Sequence, residues 1–144
     1  MSKLKSSNIL INALVGFEGC KLKVYKDIAG LATVGVGHRT NLPIGSSITK
    51  LQAMTFLRKD LEEKENYVNG LGFDFTQGQF DALVDFCYNL GEGTLHSSHL
   101  LAIIRNNKDN KDIYNEFLLF CHSGGKVIPQ LLARRKWDAN RYFA

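Results

Sequence analysis

Two prolines, three cysteines and one tryptophan in 144 residues are low counts, and each scarcity excludes something. No Pro-rich or Gly/Ser-rich stretch reads as a linker, and there is no internal repeat or low-complexity tract. Cys20, Cys87 and Cys121 are odd in number and share no metal-like spacing with the four histidines. Free thiols are therefore expected, buried or half-buried at Cys87 and Cys121, with no metal and no cofactor. No apolar run approaches the length that spans a bilayer. The best candidate, Ile9 to Phe17, is short and contains Asn12 and Gly16, so it reads as a packed amphipathic helix. A basic start with an apolar run and a small-residue cleavage site is also missing. The expectation is synthesis and folding in the cytoplasm, without membrane insertion.

The composition is that of a globular protein, 44% hydrophobic and 22% charged, and the length fits a single domain over 1–144 with a sizeable core. Eighteen Lys and Arg against fourteen Asp and Glu give +4, and Arg134, Arg135, Lys136 and Arg141 concentrate the surplus late in the chain. That balance favours polyanionic partners: nucleic acid, an anionic membrane or an acidic wall polymer.

Helix signals are frequent. Ser7 or Asn8 can cap a first helix whose apolar stripe runs through Leu10, Ile11, Leu14, Val15 and Phe17, with Gly19 as its stop. Lys21 to Tyr25 alternates, Asp27-Ile28-Ala29-Gly30 has turn chemistry, and Ala32 to His38 alternates again, which reads as one hairpin. Thr33, Gly35 and Gly37 would then share a face that the glycines leave open to a ligand. Thr49-Lys50-Leu51-Gln52 is a capping box for a long helix ending near Gly70, and Thr76-Gln77-Gly78-Gln79 is another for an apolar helix stopped by Gly91. Helices are expected over Ser98–Arg105 and Lys111–Cys121, and from Pro129 to about Tyr142. The pattern predicts an α+β, mainly helical chain. It has a small β-hairpin lobe (about 18–55), a long connecting helix and a larger helical lobe (about 70–144 plus the first helix), with a cleft suited to an extended substrate.

Three residues suggest chemistry. Glu18 falls on the last turn of the first helix, where the negative end of the helix dipole and burial against Phe17 would disfavour the charged carboxylate. A general acid working near neutral pH needs that. Asp27 opens a turn and Thr33 sits in a strand; singly both are ordinary. Together they could hold a water between them, opposite Glu18. Such a water attacks a sugar carbon in inverting glycosidases, whose carboxyls stand roughly 6.5–9.5 Å apart.

The run Phe17-Glu18-Gly19, Tyr25-Lys26-Asp27, Gly30-Leu31-Ala32-Thr33-Val34-Gly35-Val36-Gly37-His38 resembles the phage-type lysozymes, the endolysin muramidases of tailed phages. Their pattern of a Glu, eight residues, an Asp, five residues and a Thr is matched without a gap. The likeness continues through Thr76–Val84 with Asn89-Leu90-Gly91, and through Gly124–Pro129 with Arg134-Arg135, so it covers nearly the whole chain. The resemblance implies a lysozyme-like fold and inverting hydrolysis of the β-1,4 bond between N-acetylmuramic acid and N-acetylglucosamine in peptidoglycan. It implies Glu18 as general acid, with Asp27 and Thr33 handling the water. It further implies substrate contacts at Gly37, Asn89, Ser98 and Arg134, with Arg134 or Arg135 steadying the Glu18 region. His38 is read as a tie between the hairpin and the large lobe. Peptidoglycan glycan strands would be the partner, reached in the periplasm from the cytoplasm with the help of a holin, by a monomeric enzyme. Gly16, Cys20, Cys121, Gln130 and Asp138 depart from the family's usual residues without touching the three central ones.

Two other readings compete. A lysozyme-like domain could bind glycan without cutting it, against which stand the intact Glu18, Asp27 and Thr33. A nucleic-acid-binding module could use Arg134, Arg135, Lys136, Trp137 and Arg141, but no nucleic-acid fold signature accompanies them.

Overall fold

The computed structural model describes residues 3–144. Local chemistry sets its element boundaries. Helix α1 (Asn8–Glu18) begins where the Ser7 hydroxyl accepts the Leu10 N–H at 3.2 Å, and it ends at Gly19, whose N–H reaches the Val15 carbonyl. Strands β1 (Lys21–Lys26), β2 (Ala32–Gly35) and β3 (His38–Arg39) form an antiparallel sheet in that order. Helix α2 (Lys50–Gly70) opens with its capping box formed. The Gln52 N–H donates to the Thr49 hydroxyl at 3.1 Å, and the Thr49 N–H to the Gln52 side chain at 2.8 Å. The Thr76 box of α3 (Gln77–Leu90) is likewise closed in both directions. Then follow α4 (Glu92–His96), α5 (His99–Asn106), α6 (Ile113–Leu118), a short hairpin β4 (His122–Ser123) and β5 (Lys126–Val127), and α7 (Pro129–Tyr142). Gly124 and Gly125 make the β4–β5 turn with φ of 58° and 77°, the paired positive values that favour glycine in a two-residue hairpin.

The chain divides into two compact units. One holds Ile11–Glu63, and the other holds the chain up to Leu10 together with Lys64–Ala144. In the first, the sheet packs on the start of α2 through Val24, Val34, Ile48 and Ala53, with Cys20, Ala32, Met54 and Phe56 around them. In the second, α3 is buried nearly end to end, between Gly78 and Cys87, and packs against α7. Phe86, Phe117 and Tyr142 form an aromatic chain there, with ring centroids 6.1 and 5.6 Å apart. Among the described residues no helix is long and apolar enough to cross a membrane.

Three sequence expectations need correction. The run Ala32–His38 is not one strand: it breaks after Gly35 and returns as β3, so the sheet has three strands. Nor does Gly35 leave a face open to a ligand. It is buried at φ 64°, and a Cβ there would lie 3.2 Å from the Ala53 Cβ, so the glycine serves the approach of α2. Gly37 alone of the two is exposed, in the β2–β3 turn. We expect Gly35→Ala to cost about 1–3 kcal/mol, read from the urea midpoint, because both the backbone conformation and the space disfavour a side chain.

The third correction concerns charge. Arg134 and Arg135 are buried in ion pairs and Arg141 is bound to Asp81 at 2.8 Å, so of the late basic cluster only Lys136 is exposed. Exposed cations also lie on and beside the sheet, at Lys21, Lys23, Lys26, Arg39 and Lys50. The thiols follow expectation. All three are free, Cys87 and Cys121 are buried, and burial pushes the Cys87 thiol up to about 12.

Candidate active site

Glu18, Asp27 and Thr33 all belong to the Ile11–Glu63 unit. Glu18 is the last residue of α1, as its sequence position predicts, but it is exposed and Phe17 is 37% exposed. The expected burial against Phe17 therefore does not occur. Directly after Glu18 the helix gives way to Gly19.

Asp27 and Thr33 meet through a residue that sequence reading passed over. The Leu31 carbonyl accepts both the Asp27 N–H, at 2.9 Å, and the Thr33 hydroxyl, at 3.0 Å. The Leu31 N–H in turn donates to Asp27 Oδ1 at 2.9 Å. One peptide thus fixes the carboxylate and the hydroxyl together. The turn is short because the Gly30 N–H also closes onto the Asp27 carbonyl. Thr33 is 4% exposed and its proton is committed to Leu31, so towards any further ligand its oxygen can only accept.

The second oxygen of Asp27 accepts from Arg39 Nη1 at 2.7 Å. The Leu31 amide, followed by the Arg39 charge, holds the Asp27 carboxyl below the usual carboxylate range, against an opposing effect of partial burial. Arg39 was not singled out from the sequence. The signal that could have found it is register: Val34 pairs with His38 across the turn, which sets Arg39 opposite Thr33. His38 binds Asp60 of α2 at 2.7 Å and stacks on Phe56 with centroids 4.2 Å apart, so it ties β3 to α2. An open groove of about 490 Å³ runs beside these residues, lined among others by Leu31, His38, Arg39, Thr40 and Phe56.

The remaining expected contacts lie in the other unit, except Gly37. Asn89 is half-buried near the end of α3, with its Oδ1 buried and unpartnered among the described residues. Ser98 is the N-cap of α5: its hydroxyl accepts the Leu101 N–H at 3.0 Å and donates to the Leu95 carbonyl at 2.7 Å, so its polar capacity goes into the helix start. Arg134 is forked onto Asp85, through Nη2 at 2.8 Å and Nε at 3.2 Å. Arg135 is fully buried beside Asp138, 2.9 Å away. No cluster of three or more His, Cys, Asp or Glu that could hold a metal occurs among the described residues.

Comparison with known proteins gives the family and the fold. A family model described as phage lysozyme matches residues 15–138. The chain is similar to the endolysin of Bacillus phage B103, 40% identical over 135 residues that make up 89% of this chain and 50% of that protein. It is also similar to a solved P22 lysozyme variant, with 28% identity, a TM-score of 0.85 and coverage of 98% of this chain and 99% of the other. The muramidase domain of SpmX from Asticaccaulis excentricus gives a TM-score of 0.85 at 27% identity, over 97% and 98% of the two chains. The α+β lysozyme-like fold expected from the sequence is thus the fold observed. The chain spans about half the length of the two Bacillus phage endolysins it matches at 40% and 39% identity.

Proposed function

Because this chain belongs to the phage lysozyme family, we propose that it is a muramidase, a glycoside hydrolase of bacterial peptidoglycan. Its bond is the β-1,4 link between N-acetylmuramic acid and N-acetylglucosamine. The observation that carries the reading is the Asp27–Leu31–Thr33 linkage. With the Thr33 proton occupied by Leu31, a water between the two side chains must donate one hydrogen to Thr33 and the other to Asp27. Its free lone pair is then available to the anomeric carbon. Glu18 gives its proton to the leaving sugar oxygen as the glycosidic bond breaks. The water oxygen bonds to carbon, and its proton passes to Asp27. The product has inverted configuration, and the step needs only carboxyls and water. Asn89, with an acceptor oxygen not already engaged, is a candidate contact for a sugar amide or hydroxyl.

The biological setting follows as part of the same proposal. The chain is made in the host bacterial cytoplasm, acts as a monomer on glycan strands in the periplasm for host lysis, and reaches them through a holin rather than by inserting into the membrane. Exposed cations around the sheet suit an anionic wall.

The test is digestion of purified peptidoglycan freed of outer membrane, with analysis of the ends produced. Saccharides with reducing N-acetylmuramic acid ends are expected. Anhydro ends would make the enzyme a transglycosylase, and binding without cleavage would make the chain a glycan-binding domain.

A further inference from the structure

Arg39 is an unusual neighbour for a working carboxylate. Its side chain is 58% exposed, yet its guanidinium lies 2.7 Å from Asp27, whose own side chain is 23% exposed. An exposed ion pair of this kind is ordinarily loose, because a long side chain loses freedom for little Coulomb gain. Here both ends are anchored. On the arginine side, the preceding residue His38 is bound to Asp60 and stacked on Phe56, and Arg39 is paired in register with Thr33. On the carboxylate side, the Leu31 amide already holds Oδ1. The two donors hold different oxygens, so together they fix the rotation of the carboxylate, whereas Leu31 alone would hold only Oδ1.

We propose that Arg39 is the positioning residue for Asp27, holding Oδ2 so that the carboxylate faces the water shared with Thr33. The inference rests on the muramidase reading for its effect on rate, and on geometry alone for its effect on Asp27. Other charged groups occur on the elements around Asp27: Lys21, Lys23 and Lys26 on β1, His38 on β3, Lys50 and Asp60 on α2 and Glu18 ending α1. Among the described residues Arg39 is the one that forms an ion pair with Asp27. Arg39 also lines the open groove, with Leu31 and Phe56.

The experiment compares wild type with Arg39→Met and Arg39→Lys. Two readouts are taken: titration of the Asp27 side-chain carboxyl by NMR, and the pH profile of kcat and KM on solubilised glycan strands. In Arg39→Met the Asp27 midpoint should rise towards the ordinary carboxylate range without reaching it, since the Leu31 amide remains. The acid limb of the kcat profile should rise with it. At the optimum kcat should fall up to about a hundredfold with KM little changed, the signature of misplacement rather than lost binding. Arg39→Lys should restore the acid limb and only part of kcat, because an ammonium on a flexible stem replaces the planar guanidinium that holds Oδ2. An unmoved Asp27 titration, or a lowered rate with an unmoved acid limb, would overturn the proposal. Should wild type itself not cleave glycan, the muramidase reading fails, while the NMR titration still decides whether Arg39 controls Asp27.

Discussion

Replacing Glu18 with glutamine should reduce kcat on purified peptidoglycan by about 10²–10⁴-fold while leaving binding to the polymer intact. That range is what a positioned general acid contributes. Glutamine keeps the shape and hydrogen-bonding capacity of the side chain but has no proton to give to the departing sugar oxygen. Stability offers a clean control. Glu18 is exposed at the end of α1, outside the packed core, so the variant should still fold and unfold cooperatively in urea. A variant that folds, binds and does not cut identifies the acid. One that still cuts within a few-fold of wild type removes Glu18 from the reaction and would direct attention to another carboxyl. Asp27 would not substitute easily, because two donors favour its ionised form.

The sequence revealed what is local. Both capping boxes lie within four consecutive residues and formed as read, as did the glycine stops at Gly19 and Gly91 and the proline start of α7. The Glu18, Asp27 and Thr33 spacing was legible for the same reason, since all three sit in one short stretch of chain. What stayed hidden depends on partners far along it. Nothing in Ala32–His38 announces that Gly35 must adopt φ 64°, because the cause is Ala53 on α2. Alternation alone therefore read as a continuous strand. Helix α4 spans five residues, too few for a period to show, and β4 and β5 have two residues each. The burial of Arg134 and Arg135 stayed hidden because their acid partner Asp85 lies on α3, far back along the chain. Arg39 is the opposite case. It looked like any surface charge, and only the strand register brought it opposite Thr33 and onto Asp27.

The buried ions on α3 and α7 carry the largest stability effect we expect. Asp85 and Arg135 are fully buried and Arg134 nearly so. Asp85 receives Arg134 through both Nε and Nη2, and Arg135 Nη2 lies 3.7 Å from its other oxygen. Asp138 is the second acid of the group, but burial and the Asp85 charge push its carboxyl up, so Asp85 is the firmer counterion for two guanidiniums. Asp85→Asn keeps the volume and removes that charge, leaving two buried guanidiniums with Asp138 as the remaining acid of the group. The expected loss is about 3–5 kcal/mol, seen as a lower urea midpoint at unchanged slope. Asp138→Asn should cost distinctly less, since Asp138 pairs with Arg135, whereas Asp85 faces both guanidiniums. Equal losses for the two would mean that both acids are ionised in the folded protein and share the arginines evenly. A double substitution of Asp85 and Arg134 by apolar residues of similar size should recover part of the loss, because it removes one stranded charge while Arg135 still lacks one of its two acids.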